Sequence, residues 1–168
     1  MGPTDRTTRP PLYTTDERAR RDATRWTLVQ GLLAPLQFLV FLVSLGLVLR
    51  TLATGEGVFA ANLSVLAKTA LLYAIMVTGS IWEKAVFGRY LFAPAFYWED
   101  VVSMLVLALH TAYLAALAFG LLGTDGLMWL ALSAYASYAV NATQFLLKLR
   151  AARLQAPQGS HRTAMVAQ

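Results

Sequence analysis

Long apolar runs, separated by short polar stretches, dominate this chain. Trp26–Leu49 and Val101–Thr124 each run 24 residues without a formal charge, and Gly126–Leu147 runs 22. About 20 residues of helix cross the hydrocarbon core of a bilayer, so each run predicts a membrane-spanning helix. Asn62–Trp82 is a weaker fourth run. Lys68 interrupts it and leaves 14 uncharged residues behind; a lysine so near the start of a span is expected to snorkel to the closer interface. The pattern predicts an all-α integral membrane protein, a four-transmembrane-helix bundle with spans at about 26–50, 62–82, 99–122 and 127–149, forming a single domain over 1–168.

The flanks complete the outline. Residues 1–13 and 155–168 are polar or small and are expected to be disordered, with His161 isolated in the second tail. Between them and the first span, residues 14–25 predict a surface helix, so the fold class gains an N-terminal cytoplasmic interfacial helix. Thr14 or Thr15 can cap it, and Asp16 and Glu17 favour its positive end. Arg18, Arg21 and Arg25 follow at helical steps, with Glu17 and Arg21 four apart. This helix is expected to run on into the first span at Trp26, an interfacial anchor, and Pro35 to kink that span. A polar segment of 25 residues precedes the first run, which therefore reads as a span and not as a cleaved signal. Gly55 and Gly57 mark a short outer loop, and the turn Gly123–Gly126 predicts an antiparallel hairpin of the last two helices.

Charge sets the orientation. Of 14 Lys and Arg, six precede the first span, two lie between Glu83 and Trp98, and four follow from Lys148; Arg50 alone marks the other side. Positive residues collect on the cytoplasmic side of membrane proteins, so both termini and the central loop are expected there. The net charge of +5 is spent on topology, and no nucleic-acid partner is expected. The chain has no cysteine, which excludes disulfides and thiol chemistry.

Against this apolar background the polar groups stand out. Ionisable side chains at membrane depth are costly and tend to be functional. Glu83, Glu99, Asp100 and His110 lie within one short stretch. Glu99, Ser103, Val106 and His110 fall on one helix face, with His110 about 16 Å along the axis from Glu99. Asp100 points about 100° away, toward a neighbouring helix or the loop. Lys68, Leu72, Ile75, Gly79 and Glu83 share a face of the second span, and Ser137, Asn141, Gln144 and Lys148 a face of the fourth. Convergence of the three acids and the histidine on one site is the expectation. Asn141, Gln144, Gln37 and Ser44 serve equally as hydrogen-bond glue between helices. Lys84 and Arg89 are expected to serve as topology determinants. Tyr90, Phe92, Phe96, Tyr97 and Trp98 form an interfacial aromatic belt or a platform for a flat aromatic ligand. There is no phosphate-cradling glycine loop and no zinc-site spacing, and a bis-histidine haem would need a second membrane histidine.

The segments RARRDATRWTLVQGLLAPLQFLVFLVSLGLVLR, GSIWEKAVFGRYLFAPAFYWEDVVSMLVLALHTAYLAAL and QFLLKLRAARLQA resemble the 3-vinyl (also called 2-vinyl) bacteriochlorophyllide hydratases, enzymes of bacteriochlorophyll biosynthesis. The resemblance covers roughly Leu12–Leu154, and its most specific part is the WEK…FAPAFYWED…HTAY run. It implies a bacterial inner, photosynthetic or intracytoplasmic membrane. The implied reaction adds water to the ring-A vinyl group of a chlorophyllide or bacteriochlorophyllide, giving a 1-hydroxyethyl group. No cofactor is expected, magnesium arriving within the tetrapyrrole. Partners implied are that substrate, the lipid bilayer, and a homo-oligomer or neighbouring pathway enzymes. The alternative is a non-catalytic membrane protein that binds or carries pigment.

Such a hydration needs a proton donor near neutral pH and an acceptor beside a water. An apolar surround disfavours an ionised carboxyl, and carboxylates favour a cationic intermediate. Glu99 is therefore the expected donor, with Asp100 or His110 activating water and Glu83 completing the pocket. His110 is also a candidate axial ligand to the pigment's magnesium. Lys84 or Arg89 would meet the substrate's propionate, and Tyr97, Trp98, Asn141 and Gln144 would line its site.

Overall fold

A computed structural model of the chain describes residues 12–154, and within them five helices and no strand. They are α1 (Thr15–Ala23), α2 (Arg25–Thr54), α3 (Val58–Phe87), α4 (Tyr97–Ala118) and α5 (Thr124–Leu154). The expected disordered tails lie outside the described residues except for Leu12 and Tyr13. Tyr13, assigned to the first tail by its sequence, is instead buried and stacked on Phe87.

Thr14 is the cap of α1. Its hydroxyl accepts from the Glu17 N–H at 3.2 Å while the Glu17 carboxylate accepts from the Thr14 N–H at 2.8 Å, satisfying two end donors reciprocally. The expected unbroken passage from surface helix to first span does not occur. Thr24 takes an extended conformation, closes α1 and caps α2 through the Trp26 N–H. The stretch expected as one helix over 14–25 thus ends at Ala23. Arg20 Nε donates to the Val86 carbonyl at 2.8 Å and fastens α1 to the end of α3.

α2, α3 and α5 outrun their sequence-predicted bounds, α3 most of all at 58–87 against 62–82, whereas α4 starts two residues early and ends at Ala118, short of the expected 122. Glycines at left-handed φ set its ends, Gly57 at +77° and Gly88 at +81°; such φ values are easy for glycine alone. α2 passes through Pro35 without ending. α2 pairs with α3 and α4 with α5, and the two hairpins join chiefly through α2 against α5, while α3 and α4 touch over a short stretch.

Polarity is inverted relative to a water-soluble bundle. Gln37, Ser44, Lys68, Glu83, Glu99, Asp100, Ser103, His110 and Asn141 are buried, whereas Leu32, Leu39, Val43, Trp129, Leu146 and Leu147 are exposed. An apolar exterior around a polar seam is what lipid demands. Among the described residues, α2, α3 and α4 are long and apolar enough to cross a membrane. α5 is as long, at 31 residues, but Ser133, Ser137, Asn141, Thr143 and Gln144 dilute its apolar run.

Candidate active site

Nine residues, Gly88–Phe96, connect α3 to α4 and carry the first of two polar centres. Phe92 adopts φ +59°, a conformation that is a genuine outlier for a bulky side chain. That turn aims two successive amides at two acids. The Phe92 N–H donates to Asp100 Oδ2 at 2.7 Å and the Ala93 N–H to Glu83 Oε2 at 3.2 Å. Glu83 reaches the loop from the last turn of α3, and Asp100 from the first turn of α4. Their carboxyls lie within hydrogen-bonding reach of each other, and both are buried. Asp100 thus serves the loop, as its position on the helix predicts.

Glu99 sits beside this pair but turns to α5. Lys148 Nζ donates to Glu99 Oε2 at 2.5 Å and also to the Ala95 carbonyl. Behind the ion pair, Phe96 is buried among Tyr13, Trp82, Phe87 and Phe145, with ring centroids 5.7–6.3 Å away. Burial of the Tyr13 phenol, outside the spans, pushes its pKa up, against the opposing influence of Arg21.

The second centre lies deeper. His110 is fully buried on the predicted face with Glu99, Ser103 and Val106, all of them buried too. Its Nδ1 meets the Val106 carbonyl at 2.8 Å. A carbonyl can only accept, so Nδ1 carries the proton and Nε2 presents a lone pair; Nε2 has no partner among the described residues. The imidazole neighbours the Tyr135 ring at 5.9 Å, and Lys68 Nζ lies 3.7 Å from the centre of the Tyr138 ring, one turn further along α5. Lys68 therefore does not snorkel. It is wholly buried between helices with no hydrogen-bond partner among the described residues.

The expected convergence of four groups is thereby corrected to three. Glu83, Glu99 and Asp100 come together at the loop end, whereas His110 sits about 16 Å away along α4, bonded to the Val106 carbonyl and beside the Tyr135 ring. Of the remaining candidates, Lys84 is exposed, donates to the Gly88 carbonyl at 2.8 Å and lies 5.4 Å from the Tyr90 ring. Arg89 is exposed nearby. Tyr97 and Trp98 are exposed at the start of α4, edge to face with each other, and Tyr97 also meets Phe92. Asn141 Nδ2 donates to Ser103 Oγ at 2.8 Å, the helix glue its spacing allows. Gln144 lines an open groove of about 350 Å³ with Ala139, Val140, Thr143 and Leu147 on the outer side of α5. Lys148 was not among the predicted site residues, though it shares a helix face with Asn141 and Gln144; that stripe was the signal.

The profile of the 2-vinyl bacteriochlorophyllide hydratase family matches residues 13–151, which include both polar centres. The chain belongs to this family. Two relatives bear the same name, 2-vinyl bacteriochlorophyllide hydratase. The protein from Cereibacter sphaeroides is 71% identical over 144 residues, covering 85% of this chain and 89% of the relative. That from Rhodobacter capsulatus is 68% identical over 146 residues, covering 86% and 84%. No solved structure matches the chain. The matched region begins at Tyr13, so the family extends over α1 and the loop acids as well as the apolar helices.

Proposed function

We propose that this chain hydrates the vinyl group of a chlorophyllide or bacteriochlorophyllide, and that Glu83 and Asp100 together handle the protons. Family membership supports the reaction. The observation that carries the assignment of residues is the buried Glu83–Asp100 pair on the strained Phe92–Ala93 turn. Two carboxyls within reach of each other and away from water share a proton, as in other carboxyl dyads. In the proposed reaction the vinyl π pair takes that proton at its terminal carbon. Positive charge then develops on the carbon attached to the macrocycle, which delocalises it beside anionic oxygen. A water attacks this carbon and passes its own proton to the pair, which returns to its starting state. The sum is pigment plus water, with no electrons gained or lost and no redox cofactor called on.

This scheme moves the donor from Glu99 to its neighbours, because Lys148 already matches Glu99. His110 lies about three turns deeper along α4, and the scheme assigns it no step. Tyr97 and Trp98 offer exposed aromatic faces beside the acids, and Lys84 and Arg89 supply positive charge for the propionate. Asn141 is engaged with Ser103 and Gln144 faces the outer groove of α5, so this scheme assigns neither to the pigment.

The proposed setting is the inner, photosynthetic membrane of a bacterium. α5 serves as the fourth span, supported by the exposure of Trp129, Val140, Leu146 and Leu147. The excess of Lys and Arg near α1, the loop and the end of α5 supports placing both termini and the acid pair on the cytoplasmic side, with α1 at the interface. Purified protein in lipid nanodiscs, given 3-vinyl bacteriochlorophyllide, tests the reading. A product heavier by one water supports it, with Glu83→Gln and Asp100→Asn binding pigment but not converting it. Pigment bound and unchanged by the wild-type protein would make this chain a carrier.

A further inference from the structure

Three consecutive features of the α3–α4 loop are held from opposite sides. The carboxyls of Asp100 and Glu83 accept from the Phe92 and Ala93 amides, and two residues on the Ala95 carbonyl accepts from Lys148. Lys148 comes from the far end of α5, 49 residues beyond Glu99, and makes the hydrogen bond described between α5 and this loop's backbone. Its ammonium also sits 5.0 Å from the centre of the Phe96 ring, which fixes the next residue along.

Charge adds to geometry. Three carboxyls crowd this end of the bundle, and among the described residues Lys148 is the cation in salt-bridge contact with them. A buried carboxylate stripped of its partner is strongly destabilising to its surroundings. Lys148 therefore keeps Glu99 from competing with Glu83 and Asp100 for the one proton they share, while it holds the turn that presents the amides.

We propose that Lys148 is a positioning residue for the hydration: by gripping Ala95 and matching Glu99 it sets the geometry and charge of the Glu83–Asp100 pair without touching substrate. This rests on the assignment of that pair as the proton source.

The test uses the full chain in nanodiscs. Lys148→Met is expected to lower kcat about a hundredfold, the usual cost of displacing a reacting group by about 1 Å, with KM for pigment little changed. Lys148→Arg, which keeps charge and donors, recovers most of the rate. Adding Glu99→Gln to Lys148→Met removes the unmatched charge and recovers about tenfold of the loss, a rescue that a merely structural lysine would not give. A Lys148→Met variant with wild-type kcat overturns the proposal, and so does a slow one that Glu99→Gln fails to relieve. If Lys148→Met does not accumulate, Lys148→Gln, which retains an N–H donor, takes its place with the same two outcomes. A fully active Glu83→Gln/Asp100→Asn double variant would sink the pair's assignment instead, independently of the Lys148 series.

Discussion

Lys68 holds its ammonium 3.7 Å from the centre of the Tyr138 ring, wholly buried between helices and without a hydrogen-bond partner among the described residues. A cation–π contact of this sort is worth about 2 kcal/mol when desolvated, less than the several kcal/mol that a buried ion costs. Lys68→Met, of similar volume, is therefore expected to raise the thermal midpoint of the purified protein. Lys68→Ala, which leaves a cavity, is expected to lower stability by about 2–3 kcal/mol. Thermal melts in nanodiscs compare the three; a Met variant that melts well below wild type would contradict the balance of terms.

Phe92 supplies a second prediction. An L side chain in the left-handed region costs roughly 1–2 kcal/mol, which glycine does not. Phe92→Gly is expected to be more stable than Phe92→Ala by about 1 kcal/mol, since φ there is +59°. Denaturation of the two variants side by side measures the difference, and equal stabilities would mean that the turn has relaxed.

Glu83 and Asp100 act as a unit in the proposed reaction, so their effects should not add. Each of Glu83→Gln and Asp100→Asn is expected to lower kcat by about 10²–10⁴, and the double variant to be scarcely slower than the worse single. Strictly additive losses would point to two separate roles.

His110 tests the separation of the two centres. Its Nε2 has no partner and lies about 16 Å from Glu99 along the helix; the proposed reaction passes it by. His110→Gln is expected to keep kcat within a few-fold of wild type. Loss of turnover with pigment still bound would return the imidazole to the chemistry.

Thr14→Ala removes half of the capping box on α1 and should cost about 1 kcal/mol. Because α1 is anchored at Tyr13 and Arg20, the readout is faster tryptic cleavage at Arg18 and Arg20 in otherwise intact protein. Unchanged cleavage would show that the Arg20–Val86 and Tyr13–Phe87 contacts hold α1 unaided.

Much of this architecture was legible in the chain itself. Charge-free runs located the long helices, and the spacing of Glu99, Ser103, Val106 and His110 gave a face that is indeed buried. The three acids were rightly gathered at one end, because the loop returns Glu83 to the start of α4. Periodicity gives a face without naming what that face meets, and here the reading ran out. Lys68 reads as a residue near a water boundary, yet α3 begins four residues earlier than expected and so sets it deeper, where it meets Tyr138. Lys148 and Glu99 are partners across 49 residues, with no local pattern to join them. The break at Thr24 was hidden because a threonine within a polar helix and a threonine capping the next are the same letter.

The short contact between α3 and α4 gives the loop above it an unusual station. Each hairpin packs mainly within itself, and the loop that holds both acids joins the two helices, α3 and α4, that touch only briefly. In the proposed reaction, a water-shy pigment arriving sideways through the lipid would reach the acids from that flank, and its oily product would leave by the same side without crossing an aqueous phase.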